Sequence, residues 1–280
     1  MMKMTWKSQL VAALLCIVGA GNALLAEDRK ELTVEGSTTV GPIADAYAEY
    51  LQKQHKDLKI TVKNTGSGNG IAALIEGRCD IATSSRFIKA DEFKKAVEKG
   101  VMPVAHAIAM DGICIVTNNA NTILGLSLEQ LRDIYTGKIK NWKEVAGPDL
   151  EIVVISRDTA SGTYEAFNDM VMKKEKMAPS VQYVSSSKEV HAKVSSTKGA
   201  VGYVGLGFLD KDVKGLNIEG VTPTKKTITS GKYPISRPLF MFTNGYPALG
   251  SLIHEAVALH LSEKGQNLIE AKGFVPVTDY

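Results

Sequence analysis

The 280-residue chain carries 33 Lys and Arg against 30 Asp and Glu, a formal charge of +3, and 44% of its residues are hydrophobic. That length and apolar fraction support one or two globular domains with full cores, with no charged tail or low-complexity tract to suggest disorder. The basic residues are spread along the chain, which argues against a nucleic-acid surface.

Residues 1–26 read as a secretory signal. Lys3 and Lys7 form a positive start, Leu10 to Ala20 an apolar stretch, and Glu27 is the first acid. The apolar stretch is short of the ~20 residues that a membrane span needs. Cleavage fits after Ala23 or Ala26. Cys16 raises a lipoprotein alternative, but Leu15 before it is large where a small residue is normal. Loss of the segment removes Lys3, Lys7 and no acid, leaving 31 bases against 30 acids. The mature protein is therefore expected outside the cytoplasm, in the periplasm. Cys79 and Cys114 remain in strand-like surroundings; an oxidising compartment permits a bridge, and burial as free thiols is the other reading.

Beyond the signal, strand-like and helix-like segments alternate, which predicts α/β architecture with mainly parallel sheets. Leu32 to Glu35 is a short strand. Ile43, Ala46, Tyr47, Tyr50 and Leu51 follow at helical spacing after Pro42. Leu58 to Lys63 alternates as a strand, and a short helix carries Ile71, Leu74 and Ile75. Cys79 to Thr83 is a strand and Asp91 to Lys99 a helix. Gly112 to Thr117 reads as a buried strand from its continuous apolar run. Leu128 to Tyr135 is helical, Ile152 to Ile155 a strand, and Tyr164 to Met172 a helix. Helices fill Leu249 to Ala271, and Phe274 to Val277 is extended.

Three times a strand runs into Gly, Ser and Thr residues that open a helix: Gly36-Ser37-Thr38-Thr39, Thr65-Gly66-Ser67-Gly68-Asn69-Gly70, and Ser161-Gly162-Thr163. A helix start has unpaired backbone N–H groups and the positive end of the dipole, so it attracts anions. Glycine lets that backbone come close, and hydroxyls add donors where they also cap the helix. A single such turn is ordinarily an N-cap. Three of them in one chain, with Arg157 four residues before the last, point toward an oxyanion site. None is a Walker loop or a dinucleotide fingerprint. His254-Glu255 lacks a second His at metalloprotease spacing, and Ser161 is not in a nucleophile elbow. No cofactor, metal or catalytic residue is expected.

At these residues the chain resembles the PstS family, the phosphate-binding receptors of bacterial phosphate ABC importers. The likeness spans nearly all of the mature sequence: VEGSTTVGPIA, NTGSGNGIAAL, DIATSSR, Asp111 to Ile113, IYTGKIKNW, SRDTASGTYEAF, GAVGYVGLG and PLFMFTNGYP. It implies a type II periplasmic-binding-protein fold, two α/β domains joined by two crossover strands. Domain I is then 27–113 plus 236–280 and domain II 114–235, with hinges near Gly112 to Thr117 and Pro234 to Phe240. The resemblance implies a monomeric, non-enzymatic receptor that captures inorganic phosphate and delivers it to a membrane permease. Other oxyanions (sulfate, molybdate, tungstate), a sensor or a phosphatase are the alternatives. Ligand contacts carry over to Thr38, Thr39, Ser67, Arg157, Ser161, Gly162 and Thr163. One departure stands out. Many relatives place an Asp after the third strand as acceptor for the phosphate proton, whereas this chain has Ser85 followed by Arg86. Asp111 is then the nearest candidate acceptor, Ser85 is a site candidate at the strand end, and Arg86 either adds charge to the site or forms an ion pair.

Overall fold

The computed structural model describes residues 30–278, so the signal-peptide expectation lies outside the described residues. The first strand, β1 (Glu31–Gly36), feeds α1 (Gly41–Gln54) through a polar turn. Pro42 suits the first helical turn, where a missing N–H removes no bond. Ile43, Ala44, Tyr47, Ala48 and Leu51 then fall on one buried face. β2 (Lys59–Lys63) leads to α2 (Ser67–Ile75), β3 (Ile81–Ser84) to α3 (Ala90–Glu98), and β4 (Pro103–Asn118) runs for 16 residues.

The second half of the chain repeats the alternation. β5 (Gly125–Leu126) precedes α4 (Leu128–Thr136), which is closed by a Ser127–Gln130 capping box at one end and left-handed Gly137 at the other. β6 (Val153–Arg157) leads into α5 (Gly162–Phe167), which continues as a π-helical turn through Met172 rather than one regular helix. There follow β7 (Gln182–Val184), α6 (Ser187–Ser196), β8 (Ala200–Gly205), β9 (Val213–Gly215), β10 (Asn217–Ile218) and α7 (Lys225–Thr229). The chain then returns through β11 (Ser236–Asn244) to α8 (Leu252–Ala258) and α9 (Glu263–Ala271). Of the extended piece expected at Phe274 to Val277, Val275 alone bridges to Met110.

Among the described residues the main sheet runs β2-β1-β3-β11-β4-β8-β6-β7, with β9 also on β4. Its flanks are parallel, β1 with β2 and β3, and β6 with β7 and β8. Its centre is antiparallel, where β4 meets β11 and β8. The sheet is thus less parallel than the alternation implied, because β4 and β11 cross it in opposite directions. β4 also explains the architecture. Pro103 to Gly112 pairs with β11, and from Ile113 to Thr117 the same strand pairs with β8. The segment expected as a strand at Gly112 to Thr117 is thus the second half of a longer one.

Two lobes hang on these two crossing strands, each with its own core. Leu32, Ile43, Tyr47, Ile81, Leu239 and Phe274 pack in the first lobe, beside a smaller cluster around Ile71, Leu74, Cys79 and Phe242. Trp142, Tyr135, Phe167, Tyr203, Val154 and Val190 pack in the second. Fully buried Trp142 donates its Nε1–H to the Gly199 carbonyl at 3.0 Å, so its polar edge carries no desolvation penalty. Cys79 and Cys114 are free and belong to different cores, so the permitted bridge is not formed. No helix among the described residues is long and apolar enough to cross a membrane.

Candidate functional site

The three strand-to-helix turns face one cleft between the lobes. At the first, β1 ends in Gly36, and Ser37 Oγ accepts the amides of Thr39 and Val40 at 3.2 and 3.3 Å. That ties the Thr39 amide into the turn itself. The Thr38 and Thr39 hydroxyls remain directed into the cleft. At the second, Gly66 has φ +106°, a backbone open to glycine, and an added Cβ would lie 2.9 Å from the Ala160 carbonyl of the other lobe. Ser67 then starts α2, its Oγ accepting the Ser85 amide at 3.1 Å.

At the third, Ser161 caps α5, its Oγ accepting from the Tyr164 amide at 3.2 Å. Tyr203 braces the strand before it, with its hydroxyl accepting the Arg157 amide at 3.1 Å. Phe167 stacks on the Tyr203 ring at 4.2 Å between centroids. An added Cβ at Gly162 would lie 2.5 Å from Ser67 Oγ and 2.8 Å from Ser85 Oγ, so only glycine admits the two lobes this closely.

A connected set of hydroxyls spans the gap. Thr39 Oγ1 lies 2.9 Å from Thr163 Oγ1 and 3.3 Å from Ser187 Oγ. Thr38 Oγ1 lies 3.4 Å from Ser187 Oγ. Ser85 Oγ lies 3.4 Å from Thr163 Oγ1 and 3.3 Å from Ser67 Oγ. All of these side chains are buried. The lobes also join directly where the Gly68 amide donates to the Ala160 carbonyl at 3.0 Å. An anion therefore reaches the cluster only when the lobes part.

Charge separates the candidates. Arg157 is 1% exposed, donating Nη1 to Ser187 Oγ at 3.2 Å and Nη2 to the Ser185 carbonyl at 2.7 Å. Among the described residues its Nε has no hydrogen-bond partner and no carboxylate lies within ion-pair distance, the Asp158 and Glu189 charges acting on it only from farther off. Burial pulls its pKa down from the ordinary arginine value, yet a guanidinium stays protonated. A buried cation left without its counter-charge costs roughly 3–5 kcal/mol, so the site favours an anion.

Arg86 is placed differently. Its Nη1 and Nη2 bind Glu92 at 2.8 and 2.6 Å. Its Nε sits 2.6 Å from Glu165 Oε2, a charge contact without hydrogen-bond alignment. The guanidinium is thus in an ion-pair cluster that reaches across to the second lobe, and only its stem approaches Gly162.

Asp111 is fully buried where the lobes join. Its Oδ1 accepts the Leu206 amide at 2.9 Å and its Oδ2 meets Arg237 Nη2 at 3.1 Å. Burial pushes its carboxyl up, against the pull of Arg237 and the backbone amides of Leu206 and Gly112. Both oxygens are therefore engaged, Oδ1 by the Leu206 amide and Oδ2 by Arg237, and among the described residues no hydroxyl of the cluster bonds to either.

Sequence reasoning missed two members of the arrangement. Ser187 opens α6, a fourth mouth after Ser185-Ser186, and the Ser186-to-Glu189 spacing of an N-terminal cap was the available signal. Arg237 carried only a weak signal, an Arg inside an apolar strand next to Pro238.

Comparison with known proteins places this geometry. Residues 22–258 match the model of the PBP superfamily domain. A protein of Staphylococcus saprophyticus named phosphate-binding protein PstS is 36% identical, over 94% of this chain and 86% of that relative. The crystal structure of a Clostridium perfringens phosphate ABC transporter substrate-binding protein with bound phosphate is 33% identical, with a TM-score of 0.81. It covers 89% of this chain and all of that one. An ABC-type phosphate transport receptor from Vibrio cholerae is 34% identical with a TM-score of 0.71, over 87% of this chain and 99% of its own. The fold is accordingly of the type II periplasmic-binding class, two α/β domains on two crossover strands, and the chain belongs to the PstS family of phosphate-binding proteins.

Proposed function

We propose that this protein is an extracytoplasmic receptor that closes on inorganic phosphate and delivers it to the membrane permease of an ABC importer. The observation that carries this reading is Arg157, a buried cation with no carboxylate within ion-pair distance among the described residues, set against hydroxyls contributed by both lobes. A tetrahedral oxyanion would satisfy that charge and accept from several donors at once. Thr38, Thr39, Ser67, Ser85, Ser161, Gly162 and Thr163 form the proposed contact set with Arg157, and Ser187 joins them. Arg86 and Asp111 act outside it, the first as a bridge between lobes, the second at the crossing strands.

Binding then selects the closed arrangement, because only closure brings donors of both lobes to one anion. The lobes divide as 27–113 plus 236–280 and 114–235. The protein works as a monomer after export through residues 1–26, and it binds without chemical turnover. Ser85 or a neighbour, its own proton committed within the cluster, accepts the hydrogen bond from the proton of the bound phosphate where many relatives have a carboxylate, and that lone pair would face a bare oxygen of sulfate.

Titration calorimetry with phosphate, sulfate, molybdate and tungstate tests this. Phosphate is expected to bind tightly and sulfate at least about tenfold more weakly. Arg157→Ala is expected to raise the phosphate Kd by about 100-fold or more, far above the effect of Arg86→Ala. Equal sulfate affinity, or the reverse order of the two arginines, would remove the assignment.

A further inference from the structure

The geometry points to Arg237, held by Asp111, as a positioning residue that fixes the Thr163 hydroxyl as a donor toward the bound anion; this rests on the receptor reading above. Arg237 in β11 stands in register with Asp111 in β4, so the pair joins the two strands that cross between lobes. Arg237 is 6% exposed and Asp111 is fully buried. The guanidinium approaches Asp111 Oδ2 with Nε at 3.3 Å and Nη2 at 3.1 Å. It also reaches the second lobe. Nη2 donates to Thr163 Oγ1 at 2.9 Å and Nη1 to the Gly162 carbonyl at 3.3 Å.

The consequence follows from donor and acceptor arithmetic. A guanidinium only donates, so Thr163 Oγ1 must accept from it. The single Thr163 proton is then free for the other neighbours, Thr39 Oγ1 at 2.9 Å and Ser85 Oγ at 3.4 Å, which lie in the hydroxyl cluster. With one lone pair of Thr163 Oγ1 held by Arg237 and the other repelled by an anion's oxygen, the O–H is the group that Thr163 turns to whatever anion enters there. Asp111 keeps the fork from turning away, and it is itself fixed by the Leu206 amide. Because Thr163 and Gly162 move with the second lobe while Arg237 sits on a crossing strand, the donor is set only in the closed arrangement.

The test is calorimetry with inorganic phosphate on the full chain and its variants. Arg237→Gln is expected to raise Kd about 10- to 100-fold, and Arg237→Lys, with charge but no fork, by an intermediate factor. In a Thr163→Ala background the same Arg237→Gln change should shift Kd less than about threefold, since the hydroxyl through which it acts is gone. A purely structural role would add its full loss there, and that result overturns the assignment. Should Arg237→Gln fail to fold because Asp111 is left unpaired, the double variant Asp111→Asn with Arg237→Gln removes both charges and carries the comparison. Parent-like phosphate affinity in any folded variant lacking Arg237 also overturns it. If the parent binds no phosphate, the receptor reading fails separately. Amide hydrogen exchange at residues 161–164 then decides, with faster exchange in the folded variant supporting the role and unchanged exchange ending it.

Discussion

Arg157 and Arg237 are both buried guanidiniums, but among the described residues Arg237 has a carboxylate within ion-pair distance and Arg157 does not, and that difference is the ground for proposing Arg157 as the cation that meets the anion. Burial pulls both pKa values down, and for Arg237 the Asp111 carboxylate opposes the pull. The same scale decides how near the lobes come. Gly162→Ala would drive a methyl to 2.5 Å from Ser67 Oγ and 2.8 Å from Ser85 Oγ. Those atoms belong to the opposite lobe, so the variant should fold with nearly the parent Tm while closure is blocked. A phosphate Kd raised about tenfold or more by calorimetry is the expected outcome. Small-angle scattering should show no compaction on adding phosphate. Parent-like affinity would mean that the two walls do not meet in the bound state. Glycine at this position was legible in the sequence as an approach point, but the atoms it makes room for were not.

At the scale of elements, the strand, small polar turn and helix start were legible three times over, because capping and glycine backbone geometry are local properties. The fourth mouth at α6 had the same local signal. What no local pattern carries is the pairing of α5 with the loop before α3. Glu165 in α5 sits 2.6 Å from Arg86 Nε and 2.9 Å from Lys89 Nζ, and Glu92 in α3 holds the other face of Arg86. This cluster straddles the lobes beside the hydroxyls. Glu165→Gln removes one carboxylate of the bridge and should loosen closure without touching the ligand. With a partly buried pair worth about 1 kcal/mol or somewhat more, phosphate dissociation should quicken about 3- to 10-fold, with association within twofold of the parent. Stopped-flow kinetics measures both. An unchanged dissociation rate would reduce the cluster to surface decoration.

Across the whole molecule, two cores on two crossing strands make the lobes separable units, and the two thiols report on them one apiece. Cys79 lies in the first lobe, its thiol pushed up to about 12 chiefly by burial, and Cys114 lies in the second, pushed up by burial as well. At pH 8 only about one Cys79 thiol in ten thousand is then thiolate. Alkylation in native buffer should leave both unmodified, and mass spectrometry should find no bridge with or without reductant. In low denaturant the two should react at different rates if the lobes open independently; one bridged species would contradict the placement of both cores. By itself the sequence determined the alternation of elements, the Gly, Ser and Thr chemistry at helix starts and the place of Arg157 four residues ahead of the third such start. These are written in short stretches of chain. The tertiary structure alone decided that Thr39 meets Thr163, 124 positions away, that among the described residues Arg86 is ion-paired while Arg157 is not, and that Arg237 and Ser187 reach the hydroxyl cluster and Arg157. The reason is physical: desolvation and hydrogen-bond partnership depend on which distant surfaces are pressed together, and only the folded lobes set that.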